Sequence, residues 1–180
     1  MEFWDVYDVD RKKTGRTWQR GNRLENGDYH LVIHVCIFNK DGQMLIQQRQ
    51  PFKDGWANMW DITVGGSATV GDTSQQAAMR ELEEEIGLKL DLSHTRPHLT
   101  VNFDEGFDDI YLVEAEVDLD ELTLQESEVQ AVKWADEATI LDMIRSGEFI
   151  PYHEPMIPLL FAMRGQWGGI NHVAAVHVDQ

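Results

Sequence analysis

The segment from Thr73 to Gly87 carries both a start and a stop signal for one helix, and strand-like runs lie on either side of it. Thr73 and Gln76 fit a capping box, in which each side chain satisfies a free backbone N–H of the first turn. Gly87 suits the stop, where a left-handed backbone ends the helix. A helix over 73–86 turns Ala78, Met79, Leu82 and Ile86 to one side, where they can pack on a sheet. The chain supplies strands for that sheet. Tyr29 to Phe38 is an apolar run, Asn39-Lys40-Asp41-Gly42 is a turn signal and Gln43 to Arg49 follows, which predicts a hairpin. Trp60 to Val64 reads as a strand ending at Gly65-Gly66, with later strands at Leu99–Phe103, Ile110–Val117 and Ala131–Trp134. Helices are predicted from Asp136 to Arg145, stopped by Gly147, and from Glu154 to Arg164. At the start, residues 3–9 alternate like an exposed strand, Lys12 to Gly15 read as a turn and Arg16 to Arg20 as the return. Strands outnumber helices in mixed order, so the predicted class is an α/β (α+β) sandwich with an N-terminal β-hairpin extension.

The length of 180 residues suits one domain: hairpin 1–28, core about 29–165 and tail 166–180. The apolar run His172–Val178 reads as a strand or an interface element. The hairpin and this run can both pair edges, so a homodimer is expected to be possible. A net charge of -17 repels phosphate backbones and argues against nucleic-acid binding through a broad basic face. No segment suits a membrane span and Met1 to Asp5 lack a signal-peptide layout, so the expected location is cytoplasmic. The one cysteine, Cys36, sits in an apolar run and reads as core. His30 and His34 share a strand face and read as core or interface histidines, because no further ligands for a second metal are evident.

At about 100° per residue, Glu81, Glu84 and Glu85 fall on one face of the 73–86 helix, flanked by Ala77 and Arg80, while Glu83 points elsewhere. Like charges stacked one turn apart destabilise a helix and invite a counter-ion. Hard divalent cations such as Mg²⁺ or Mn²⁺ prefer these oxygen ligands. An isolated glutamate run reads as a solvated face; the glycines upstream change the balance. Gly65-Gly66 lets the backbone approach a ligand closely, so a carbonyl can join the metal shell. Arg80 can fork onto a neighbouring carboxylate and orient it.

Gly66-x5-Asp72-x7-Arg80-Glu81-Leu82-x-Glu84-Glu85-x-Gly87-Leu88 resembles the Nudix box, G-x5-E-x7-R-E-U-x-E-E-x-G-U, with U a bulky aliphatic residue. Every defined position matches except Asp72, which keeps the carboxylate on a shorter arm. The resemblance implies a Nudix-type α/β/α sandwich with a mixed sheet. It implies hydrolysis of a phosphoanhydride bond in a nucleoside diphosphate derivative or similar diphosphate. Mg²⁺ or Mn²⁺ would be held by Glu81, Glu84, Glu85 and the Gly66 carbonyl, to polarise phosphoryl oxygens and activate water. Arg80 would orient Glu81 or Glu85. The general base would come from the box or from a later loop. Glu128 is the loop candidate, because its spacing to Trp134 resembles that in some Nudix enzymes, with Glu126 as rival and a solvated acid as the alternative for either.

On the substrate side, Arg49 and Lys53 are candidate phosphate ligands, or ordinary surface cations. Trp56, beside Gly55, is the better stacking candidate; Trp60, Tyr111 and Trp134 read as core, and Phe103 stays open. Tyr29-His30-Leu31, Leu45 to Arg49 and Trp60 to Thr63 also look like the Nudix branch that includes isopentenyl-diphosphate isomerase. That isomerase needs a cysteine soon after the tryptophan strand, where this chain has Thr63-Val64-Gly65. The expected partner is a small diphosphate, nucleotide-linked, and the alternatives are isomerase-like activity or a non-catalytic nucleotide sensor. A sensor is expected to have an eroded box.

Overall fold

A computed structural model describes residues 2–171. Two N-terminal strands, β1 (Phe3–Tyr7) and β2 (Lys13–Gln19), pair antiparallel as a separate small sheet. The remaining strands form one mixed seven-stranded sheet: β3 (His30–Phe38), β4 (Met44–Arg49), β5 (Trp60–Asp61), β6 (Val64–Ser67), β7 (Leu99–Phe103), β8 (Gly106–Glu114) and β9 (Val129–Ala135). Helix α1 (Ser74–Ile86) covers one face, and α2 (Glu137–Ser146) and α3 (Met156–Met163) cover the other. The alternation of β3 explains this layering. Leu31, Ile33, Val35 and Ile37 pack with Ala77, Ala78, Leu82 and Ile86 of α1, while Cys36 and Phe38 face α2 and α3. The α1 caps are as predicted: Thr73 accepts from Gln76 N, Gln76 answers in a full capping box, and Gly87 takes a left-handed φ of 71°.

Several local expectations are corrected. The expected hairpin of β3 and β4 exists only at its tip, where Phe38 pairs Met44. Beyond that pair the strands part, because both edges of β3 are taken, by β6 antiparallel and by β8 parallel. The strand expected at Trp60–Val64 is divided for the same reason. Trp60–Asp61 pairs β4, whereas Val64–Ser67, with both glycines inside it, pairs β3. Thr63 fills the gap between the two wings. Its hydroxyl accepts from Ile37 N at 2.9 Å and donates to Leu45 O, two groups that a continuous hairpin would have paired directly.

The N-terminal reversal also moves. It falls at Asp8–Lys12, where the Asp8 carboxylate accepts from Asp10 N at 3.0 Å and Lys12 N at 2.9 Å, and Lys13 to Gly15 belong to β2. Strand β1 is not wholly exposed: Trp4, Val6 and Tyr7 are buried against the core. Strand β8 starts earlier than its apolar pattern suggests, because the fully buried Asp109 is satisfied by Arg11 and by Thr100 at 2.7 Å. The His172–Val178 run lies outside the described residues.

Candidate active site

The acidic face of α1 meets β6 where that strand has no side chains. Ile33 of β3 pairs Gly66, and a Cβ at Gly66 would stand 2.3–2.7 Å from the carboxylate atoms of Glu81. Only glycine lets the Glu81 carboxylate lie against the strand. Arg80 fixes the neighbours: Nη1 donates to Glu81 at 2.8 Å and to Glu84 at 3.2 Å, and Nη2 to Ser67 O and Asp72, each at 3.1 Å. The shorter arm of Asp72 therefore still reaches the arginine, while also accepting from Thr69 N at 3.0 Å and Thr69 Oγ1 at 2.9 Å. Glu83 faces away and pairs Lys89 at 2.8 Å.

Of the two glutamates that Arg80 was expected to orient, its guanidinium bonds Glu81 and no bond to Glu85 is formed among the described residues. Glu85 is held instead by Gln47 of β4, whose Nε2 donates to it at 3.0 Å. The sequence pattern does not single out Gln47 as a site residue, although it carries a signal. It lies two residues after Leu45, on the α1 face of a buried strand, and a polar residue there needs a polar partner.

Loop 123–128 is tied to the end of α1 through Thr123 N to Ile86 O at 3.1 Å and Gln125 N to Glu85 O at 2.9 Å. It brings Glu128 to the cleft in an ion pair with Lys53. A cleft of about 250 Å³ gathers Gly66, Arg80, Glu81, Glu84 and Glu85 with Arg49, Lys53 and Glu128. Gln125 and two hairpin residues, Glu2 and Arg20, join them. No local sequence pattern pointed to these last two, because only the docking of the hairpin brings them there. Glu126 and Trp56 do not line the cleft; Trp56 is 54% exposed on the loop beside it, at a left-handed φ of 51°. Trp60 is half-buried beneath Lys133, Tyr111 is fully buried, Trp134 is partly buried in the core and Phe103 is exposed.

Burial lifts the Glu81 carboxyl to about 7 despite Arg80, and lifts Glu85 to about 8, with the Glu81 charge adding to it. Two carboxylates kept from water beside one another suit a hard divalent cation. Among the described residues no three acidic, histidine or cysteine side chains are already drawn into a coordination shell. Glu81 is instead hydrogen-bonded to Arg80 and Glu85 to Gln47.

His34 is satisfied by Asp108 at 2.8 Å and packs over Gly65, where an added Cβ would meet the imidazole at 2.4 Å. His30 stacks on Trp4 at 4.2 Å. Cys36 is fully buried, and burial pushes its thiol well above the ordinary range.

Comparison with known proteins agrees with this geometry. The family model described as NUDIX domain matches residues 28–160. An uncharacterised Nudix hydrolase of Listeria monocytogenes is 50% identical over 84% of this chain and 90% of its own length. An isopentenyl-diphosphate Delta-isomerase of Salmonella heidelberg is 29% identical over 53% of each chain. The crystal structure of DR0079 from Deinococcus radiodurans superposes with a TM-score of 0.71 at 21% identity, covering 88% of this chain and 97% of that one.

Proposed function

This chain belongs to the Nudix hydrolase family, and we propose that it cleaves a phosphoanhydride bond of a nucleoside diphosphate derivative or similar small diphosphate by attack of water. The observation that carries this reading is the close seat of Glu81 on Gly66, beside the buried Glu85, in a cleft walled by polar side chains and glycines. Glu81, Glu84, Glu85 and the Gly66 carbonyl would hold Mg²⁺ or Mn²⁺. Such an ion, when bound, supplies Lewis-acid polarisation of phosphoryl oxygens and lowers the pKa of water.

The chain's own groups do the rest. Arg80 is a positioning residue: one guanidinium nitrogen holds Glu81 while the other is anchored on Ser67 O of β6 and on Asp72. Arg49 and Lys53 line the cleft and would meet phosphate oxygens there. When Lys53 turns to a phosphate, Glu128 loses its partner and is freed to accept a proton from the attacking water. Trp56 would meet the remainder of the substrate outside the cleft.

Isomerase chemistry is disfavoured on a specific observation. Thr63-Val64-Gly65 supplies no thiol after the tryptophan strand, and Cys36, the one cysteine, is sealed in the core. A sensor without turnover is disfavoured by the intact set of Arg80, Glu81, Glu84 and Glu85.

The test is Glu84→Gln, which removes one charge at a half-exposed helix position. Turnover of a diphosphate panel with Mg²⁺ should fall by roughly 100-fold or more, with an unchanged thermal melt. Unchanged turnover would overturn the metal assignment.

A further inference from the structure

The N-terminal hairpin lies outside the matched residues 28–160, yet Glu2 and Arg20 at its open end line the same cleft as Glu81 and Glu84. It is a fixed part of the molecule. Arg20 N donates to Glu2 O at 3.1 Å, and Phe3 O accepts from Val70 N at 3.0 Å. The Asp5 carboxylate accepts from Gly71 N at 2.9 Å, Lys13 reaches Asp5 at 2.7 Å and Asp72 O at 2.9 Å, and Trp4 stacks on His30. Arg20 is therefore delivered to the cleft by a rigid ribbon braced on the 67–72 turn.

At that point Arg20 Nη1 meets Glu2 Oε2 at 2.9 Å, with the arginine side chain 58% exposed. Elsewhere on the wall Lys53 meets Glu128. Two cationic side chains of the cleft are thus matched by single carboxylates. The rest of the lining is polar or glycine, so the cleft offers a seat for phosphates and none for a base or a hydrocarbon chain.

We propose that Arg20 is a phosphate-binding residue whose place is held by Glu2 until substrate arrives, and that it selects diphosphates ending in a free phosphate. The selection follows from charge. A terminal phosphate carries close to two negative charges near neutral pH and three acceptor oxygens. It therefore outcompetes the single charge of Glu2 for the guanidinium. A phosphate esterified on both sides carries one charge and gains nothing over the carboxylate it would displace. The proposal rests on the diphosphate-hydrolase reading and assigns the end of the substrate that the hairpin holds.

The experiment uses the full chain, with Arg20→Gln and Arg20→Lys. Two probes report separately: binding of imidodiphosphate with Mg²⁺ by calorimetry, and kinetics on UDP against UDP-glucose. Arg20→Gln should weaken imidodiphosphate roughly ten-fold and raise KM for UDP by about the same factor. Its kcat should stay within about two-fold, and KM for UDP-glucose should move by less than about two-fold. Arg20→Lys should restore most of the binding. Wild-type protein that fails to bind imidodiphosphate, or binds it equally well with glutamine at position 20, overturns the proposal and leaves the hydrolase reading intact. Equal KM effects on the two nucleotides overturn the selection of a free phosphate. Binding that depends on Arg20 without hydrolysis of any diphosphate supports the phosphate subsite and removes the hydrolase reading instead.

Discussion

Glu85 is 6% exposed, and the one side chain donating to it in the described structure is the amide of Gln47. A buried carboxylate with a single neutral donor is poorly stabilised as an anion, which is why its carboxyl stands near 8. The same donor also fixes the direction in which the carboxylate points. Groups that orient a metal ligand in this way commonly matter almost as much as the ligand. Gln47→Leu should therefore weaken Mn²⁺ binding roughly ten-fold or more, read by electron paramagnetic resonance titration of free Mn²⁺. Gln47→Asn, one methylene short, should not rescue it. Unaltered Mn²⁺ affinity in the leucine variant would show that Glu85 needs no orienting partner. At this scale the sequence was informative about charge and less so about contacts. The helical period placed Glu81, Glu84 and Glu85 together and Glu83 apart, as the structure has them. The partner of Glu85 comes from a strand far away in sequence, so no local pattern points to Gln47.

Elements divide along the same line between local and distant causes. Helix α1 was legible because its caps lie within the segment: Thr73 and Gln76 at one end and Gly87 at the other. The pairing of β3 was not, because it is decided by β6 and β8, the latter parallel and reached only after a long crossover. An Asn-Lys-Asp-Gly turn does form, with Gly42 at a φ of 75°, but a turn fixes only the first pair of a hairpin. Where β3 and β4 part, Thr63 takes over both orphaned backbone groups from a position 1% exposed. Thr63→Val keeps the shape and removes the hydroxyl. It should leave Ile37 N and Leu45 O unpaired in the core and cost roughly 2–4 kcal/mol, measured by urea unfolding. A loss below about 0.5 kcal/mol, within the range of ordinary surface substitutions, would mean that the wings re-pair without the threonine.

The whole molecule joins a core whose motif is written locally to a hairpin whose role is not. The box of Gly66 to Leu88 identified the family because its spacing is rigid, and the matched region stops short of the hairpin. Besides the hydrogen bonds to the 67–72 turn, an aromatic seam joins the two, with His30 of β3 stacked on Trp4 at 4.2 Å and edge-on to Phe103 at 5.5 Å. Its Nδ1 is buried without a hydrogen-bond partner among the described residues, and burial lowers the imidazole from 6.5 to about 4. The folded protein therefore binds this proton more weakly than the unfolded chain does. The sign follows from linkage: the contribution of His30 to stability is complete above pH 6.5, shrinks as pH falls through 6.5, and is gone below about 4. Between pH 7.5 and 4.5 the wild type should lose roughly 2 kcal/mol on this account. His30→Phe keeps a planar ring on Trp4 and cannot take the proton, so its own acid loss should be smaller by about that amount. Urea unfolding of both proteins at the two pH values measures the difference. Equal losses would place the acid sensitivity of the molecule in its carboxylates and free the seam of any part in it.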